Sequence, residues 1–289
     1  MNHLKTIFKT VALACLIFVQ STSLLATECA GNWTITLDTL AVEYRDDKAG
    51  YIPAYINLSR DIRYCRNPYI YLSLDDRKMG TLFSPRANLS TEFVDRNGRH
   101  LNYVNNQGYR LKLENSARTK FWLKVNGAKT APSATYVGNI NATLGLDDKS
   151  DEKTALVNHF IPPFVFFTLD KVKSKSVRGS GDHYSMDLGT LNKGDQHYAY
   201  FYLLSNANID VTVERDKGAL YHDKKRDLKI DYQLNFDGHN VDKRLAYTIN
   251  NQRMLMLEHI PMKLTVGNTD FAYAGTYRDV VRIEVKAKY

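Results

Sequence analysis

Three cysteines and eight histidines are the residues of this 289-residue chain best suited to act as ligands, nucleophiles or bases, and their placement argues against catalysis. No two of His3, His100, His159, His183, His197, His222, His239 and His259 are four residues apart, the spacing that sets two imidazoles on one helical face. Asp182-His183-Tyr184-Ser185 brings a carboxylate, an imidazole and a hydroxyl together, but in a strand neighbouring side chains point to opposite faces. Gly179-Ser180-Gly181 lacks the lysine and following helix of a phosphate loop and reads as a turn. The expectation is a non-enzyme with no catalytic set, no metal ligands and no cofactor. Cys15 lies in an apolar leader, which leaves Cys29 and Cys65, 36 positions apart, as the pair expected to form a disulfide in an oxidising compartment. Closing that loop is worth roughly 3 to 4 kcal/mol in the chain-entropy picture.

The charged and aromatic residues admit binding chemistry of a modest kind. Lys171, Lys173 and Lys175 are expected on one face of a strand, and Lys224-Lys225-Arg226 with Lys229 form a second basic cluster. Solvated edges that discourage strand pairing explain both better than anion sites do. The formal charge of +8 falls to +6 once Lys5 and Lys9 are set aside, because 37 basic residues then face 31 acidic ones. That excess is too small to suggest nucleic acid as a partner. Trp33, Trp122, Tyr103 and Tyr109 could stack on a sugar or an apolar surface, with core packing the better reading for each.

The elements that must position these residues are strands. Lys5 and Lys9 precede an uncharged run from Val11 to Val19 and a small residue at Ala26, so residues 1–26 read as a secretory signal peptide. A gapless repeat follows: Phe121 through Ile140 aligns with Met262 through Val281 at a constant offset of 141 residues. Each copy alternates, crosses a loop and resumes at Thr-Tyr. One face carries Tyr136, Ile140, Ala142, Leu144 and Leu146 in the first copy, and Tyr277, Val281, Ile283, Val285 and Ala287 in the second. So long a period indicates tandem domains. Asp147 to Lys153, charged and without an apolar anchor, reads as the linker, which divides the chain into domains 27–153 and 154–289. Alternating runs at Tyr198–Leu204, Ile209–Val213 and Ile230–Phe236, separated by turn residues, predict an all-β chain of two tandem sandwiches.

The second half resembles the spore coat U-like pilin domain of archaic chaperone/usher fimbriae. The resemblance is carried by Met186-Asp187-Leu188-Gly189-Thr190-Leu191, Leu204-Ser205-Asn206 with Ile209 to Val213, Gly218-Ala219-Leu220, Ile230 to Leu234, and the closing Gly275-Thr276-Tyr277 with alternating valines. It departs from the family in having no cysteine pair in this half. Such a likeness implies an immunoglobulin-like sandwich without its last strand, the apolar groove lined here by Val281, Ile283, Val285, Ala287 and Tyr289. It implies a periplasmic pilus chaperone, an outer-membrane usher and an adjacent pilin subunit donating a strand as partners. Only Thr27-Glu28 stand between the signal peptide and Cys29, so the chain is expected to accept a strand without donating one, as at a pilus tip. The expected function is that of a two-domain tip adhesin, secreted through the periplasm to the cell surface and serving attachment and biofilm growth on a surface or glycan receptor that the sequence does not identify. The competing readings are a non-binding minor pilin that initiates or caps the fibre and an autonomous secreted lectin.

Overall fold

The computed structural model describes residues 31–288 apart from 64, 66–67, 76–79, 147–148 and 252–254, with backbone alone at 146 and 149. Residues 1–26, where a signal peptide is expected, and Cys29 and Tyr289 therefore lie outside the described residues.

Alternating side chains and turn residues build strands almost throughout. The first half contains β1 (Trp33–Leu37), β2 (Glu43–Tyr44), β3 (Gly50–Leu58), β4 (Tyr69–Leu74), β5 (Gly80–Phe83), β6 (Asn88–Asp95), β7 (Asn102–Val104), β8 (Gly108–Lys112), β9 (Arg118–Val125), β10 (Ala134–Leu146) and β11 (Lys149–Ile161). The second contains β12 (Val165–Leu169), β13 (Val177–Ser180), β14 (His183–Met186), β15 (Gln196–Ser205), β16 (Asn208–Arg215), β17 (Ala219–His222), β18 (Lys229–Phe236), β19 (His239–Asn240), β20 (Arg244–Ile249), β21 (Met256–Val266), β22 (Tyr277–Arg278) and β23 (Val281–Lys288). One four-residue helical turn, Arg60–Arg63, interrupts the pattern. The protein is all-β, built of stacked sheets that enclose apolar cores.

In the first half the hydrogen-bonded order is β1-β3-β9-β6-β5-β10-β4-β8-β7, with β11 on the other edge of β10 and β2 on β3. Only the pair Val137↔Phe83 joins β5 to β10, so the path folds there into two layers. Ile52, Phe93, Phe121 and Leu123 from one layer and Ile70, Leu72, Ile140 and Leu144 from the other share a single buried cluster. In the second half β12-β15-β21-β18-β17-β22 forms one sheet and β20-β16-β23 the other. Phe201, Leu234 and Ile260 meet Ile209, Val211 and Val213 in a second, separate cluster.

Two sequence expectations need correction. Residues 149–153 of the charged stretch are no linker: they begin β11, which pairs with β10 along thirteen positions from Leu146↔Lys149 to Ala134↔Ile161. Residues 154–161 consequently belong with the first cluster, where Val157 and Ile161 are buried. The connection between halves is Pro162-Pro163-Phe164, which cannot continue the ladder because proline offers no N–H. Lys171, Lys173 and Lys175 do not share a strand face. Asp170 accepts the backbone N–H groups of Val172 (3.0 Å) and Lys173 (3.2 Å), and this side-chain turn ends β12 before the lysines begin.

The repeat survives as matching geometry. Tyr136 Oη donates to the carbonyl of Pro132 at 2.9 Å, and Tyr277 Oη donates to the carbonyl of Tyr273 at 3.0 Å. Both acceptors stand four residues upstream, the arrangement of a tyrosine corner in an immunoglobulin-type sandwich.

Candidate functional site

β23 is the element on which the sequence reading placed its site. Its alternation is as expected: Val281, Ile283, Val285 and Ala287 are half-buried and face the core, while Arg282, Glu284, Lys286 and Lys288 are exposed. β16 pairs with one edge of β23 over eight positions, from Asn208↔Lys288 to Arg215↔Val281. Among the described residues no strand pairs with the other edge. β12, the edge strand of the facing sheet, comes alongside β23 there.

The side chains between these two edges are only partly covered. Val165 and Phe167 of β12 and Val281, Ile283 and Val285 of β23 pack on the second cluster without being buried in it. By contrast Ile209, Val211 and Val213 of the neighbouring β16 are at most 1 % exposed. A half-covered apolar strip beside unpaired backbone N–H and C=O groups has the chemistry to take up an extended peptide, with hydrogen bonds from the edge and contacts for alternate side chains.

The start of β23 is fixed by a polar network that the sequence reading did not single out. Arg215 is 8 % exposed and has no carboxylate partner among the described residues. Its guanidinium donates to the carbonyls of Val241 (3.1 Å), Asp242 (3.0 Å) and Tyr232 (3.0 Å), and also to that of Gly218. The same group lies 3.9 Å from the centroid of the Tyr232 ring. Tyr232 Oη donates in turn to Asp279 at 2.8 Å. Burial and the Asp279 carboxylate push the Tyr232 phenol up to about 12, so it stays protonated and keeps donating. Asp279 also accepts the backbone N–H of Lys217 and of Val280, which ties the turn before β23 to the turn after β16. A signal was present in the sequence: Arg215 continues the inward phase of Ile209, Val211 and Val213, where an arginine is out of place.

Gly275 of the Gly-Thr-Tyr stretch has a definite job. A Cβ there would lie 2.0 Å from His222 Nε2, so glycine is what lets the chain pass over the buried imidazole. That imidazole in turn accepts the N–H groups of Lys224 (3.1 Å) and Lys225 (3.2 Å), which shapes the basic loop as a turn.

Cys65 is buried and disulfide-bonded. Trp33 and Trp122 are each 3 % exposed and serve packing. Among the described residues no three His, Cys, Asp or Glu side chains are grouped as metal ligands.

No protein-family model and no curated protein matches the sequence. Solved structures similar to the chain include the chaperone–tip adhesion subunit pre-assembly complex CsuC–CsuE of the archaic chaperone-usher Csu pili of Acinetobacter baumannii, at 9 % identity over 76 % of this chain and 85 % of that one, TM-score 0.40. The CupB6 tip adhesin from Pseudomonas aeruginosa is similar at 10 % identity over 89 % and 94 %, TM-score 0.36. The Salmonella SafD adhesin covers 45 % of this chain with 99 % of its own length at 14 % identity, TM-score 0.31.

Proposed function

We propose that the chain is the tip adhesin of an archaic chaperone/usher pilus, with the first half as the binding domain and the second as a pilin-type domain that anchors it. One observation carries this reading. The two copies of the repeat differ in closure: β10 has β11 along its outer edge, whereas among the described residues β23 has one edge unpaired, over a half-covered apolar strip. On this reading Val281, Ile283, Val285 and Ala287, with Tyr289 beyond them, line the groove that a periplasmic chaperone fills first and an adjacent pilin subunit fills later at the outer-membrane usher. The Cys29–Cys65 disulfide belongs to the first domain and forms after secretion, residues 1–26 being removed on the way. The protein has no catalytic task.

The test compares the two strands in one molecule. In native-state hydrogen exchange of the full chain, amides of β23 should exchange several hundredfold faster than those of β10, and a supplied peptide of alternating apolar residues should slow β23 while leaving β10 unchanged. Protection of β23 equal to that of β10 with no peptide present overturns the anchoring reading and favours the autonomous lectin.

A further inference from the structure

The outward face of the sheet β11-β10-β4-β8-β7 carries residues that packing does not require. On β4, Ile70, Leu72 and Leu74 fill the core while Tyr69, Tyr71 and Ser73 face solvent. Register sets Glu152, Thr143, Tyr71, Arg110 and Asn102 side by side across five strands. Next to that row, Tyr69 stands between Gly145 and Lys112. A Cβ on Gly145 would lie 2.5 Å from Tyr69 Cε2, so the ring lies on bare backbone and a larger residue at 145 would lift it. The Arg110 guanidinium is 4.6 Å from the centroid of the Tyr69 ring, and the Tyr69 and Tyr71 rings meet edge to face at 5.1 Å.

Two clefts flank this cluster. One of about 630 Å³ is bounded by Arg63, Tyr69, Asn102, Arg110, Lys112 and Asn115. The other, of about 280 Å³, is bounded by Tyr71, Tyr103, Asn106, Gln107, Asn141 and Glu152. Among the described residues Arg63, Arg110 and Lys112 form no ion pair, and Glu114 on the rim is engaged by Arg96 at 3.0 Å. Arg63 Nε is buried with no hydrogen-bond partner. The first cleft thus combines three cations that form no ion pair among the described residues, two carboxamides, the Tyr69 ring and one carboxylate, Glu114, already paired with Arg96. Cations and carboxamides outnumber the apolar groups Cys65, Pro68 and Leu113 in its wall, unlike in a lipid or drug-like pocket.

We infer that this face binds an acidic oligosaccharide. Tyrosine rings offer flat, rigid area to the C–H face of a pyranose, carboxamides both donate to and accept from hydroxyls, and guanidinium groups bind an oxyanion with two parallel hydrogen bonds. Arg110 and Lys112, with Arg63 behind them, take the carboxylate or sulfate. Tyr71 carries the ring, Tyr69, with Gly145 under it and the Arg110 guanidinium over it, holds that guanidinium in place, and the second cleft takes the neighbouring neutral residue. The inference rests on the adhesive reading of the first half and names the class of its ligand.

Titration calorimetry of the full chain at near-physiological salt tests it with three probes: a hyaluronan hexasaccharide, a heparin hexasaccharide and neutral cellohexaose. At least one acidic probe should bind about tenfold or more tightly than the neutral one, and the stronger of the two identifies the anion as carboxylate or sulfate. Arg110→Gln should weaken that binding about tenfold, Tyr71→Ala by a similar factor, and Gly145→Ala by less. Arg110 is exposed, so the R110Q variant keeps its fold and remains informative if Y71A does not. Equal affinity for acidic and neutral probes, no binding of any probe, or an unchanged affinity in R110Q overturns the inference. Ile283→Asp separates it from the anchoring reading, since it should abolish peptide uptake at β23 and leave saccharide affinity unchanged. A protein that takes up the peptide but binds no saccharide therefore sinks this inference alone.

Discussion

Strands β10 and β23 stand 141 residues apart and carry the same alternation, yet their inward faces end differently. Ile140 and Ala142 are fully buried and Leu144 is 1 % exposed, while Val281, Ile283 and Val285 at the matching positions remain half-buried. The second set is no less apolar than the first, so composition does not explain the gap. Pairing differs: among the described residues β10 has β4 on one edge and β11 on the other, whereas β23 pairs with β16 alone. The cores follow suit. Among the described residues the first cluster buries 25 apolar side chains with 7 more partly covered, whereas the second buries 17 and leaves 15 partly covered. The half whose repeat strand is paired along both edges is the one whose matching positions are sealed.

Aspartate substitutions test the comparison most severely. Leu144→Asp should unfold the first half, because an unpaired carboxylate in a sealed core costs more than about 4 kcal/mol. Val285→Asp should cost less than half as much, since its carboxylate reaches water along the open strip, while peptide uptake is lost. Urea melts followed by near-ultraviolet circular dichroism measure both, and equal losses would break the comparison.

Acid should act on the closed half first. His159 of β11 is 1 % exposed, neither ring nitrogen has a hydrogen-bond partner, and burial holds its pKa down at about 4. The imidazole stays neutral in the fold but takes a proton in the unfolded chain near its ordinary value of 6.5. Its contribution is therefore complete above about pH 6.5 and lost progressively toward pH 4, to a total of roughly 3 kcal/mol. His159→Leu should flatten that slope, as read from urea midpoints between pH 7.5 and 4.5.

The junction ranks third. Asn206, 1 % exposed, donates to the carbonyls of Ala131 and Pro162 at 3.1 Å and accepts the N–H of Phe164 at 2.8 Å. Asn206→Ala strands those groups and should cost about 2 kcal/mol, with calorimetry resolving two melting transitions further apart than in the parent. The smallest effect belongs to the outward face of β23. Lys286 and Glu284 pair at 2.6 Å, but their side chains are 69 % and 59 % exposed, so Lys286→Ala should move the midpoint by no more than about 0.5 kcal/mol.

The fold was legible wherever a strand had one wet and one dry face. Ile209 to Val213, Ile230 to Phe236 and Val281 to Ala287 alternate in sequence and alternate in burial. The first part of β11 escaped notice because residues 150–154 are exposed on both faces although they pair with the core strand β10, so no period of two exists to be read. Trp33 Nε1, donating to Asp151 at 2.7 Å, is the long-range contact that holds this part, and sequence spacing does not announce it. β23 was visible for the converse reason, since its apolar phase is intact although, among the described residues, one of its edges is unpaired. Arg215 and the Tyr69–Gly145 contact depend on cross-strand register, which residue types alone do not set.

The three-residue connection at Pro162-Pro163-Phe164 also determines how force would travel. A pull on the first half enters the second through β12, which lies antiparallel to β15 over five positions from Val165↔Ser205 to Leu169↔Phe201. Tension along β12 draws it lengthwise past β15, so its ladder bonds share the load instead of opening one at a time as in a zipper. A peptide seated between β12 and β23 would run along the same direction and be sheared, not peeled. Under flow, the two halves would act as a tether whose weakest mode of failure, unzipping from one end, is the one the geometry does not load.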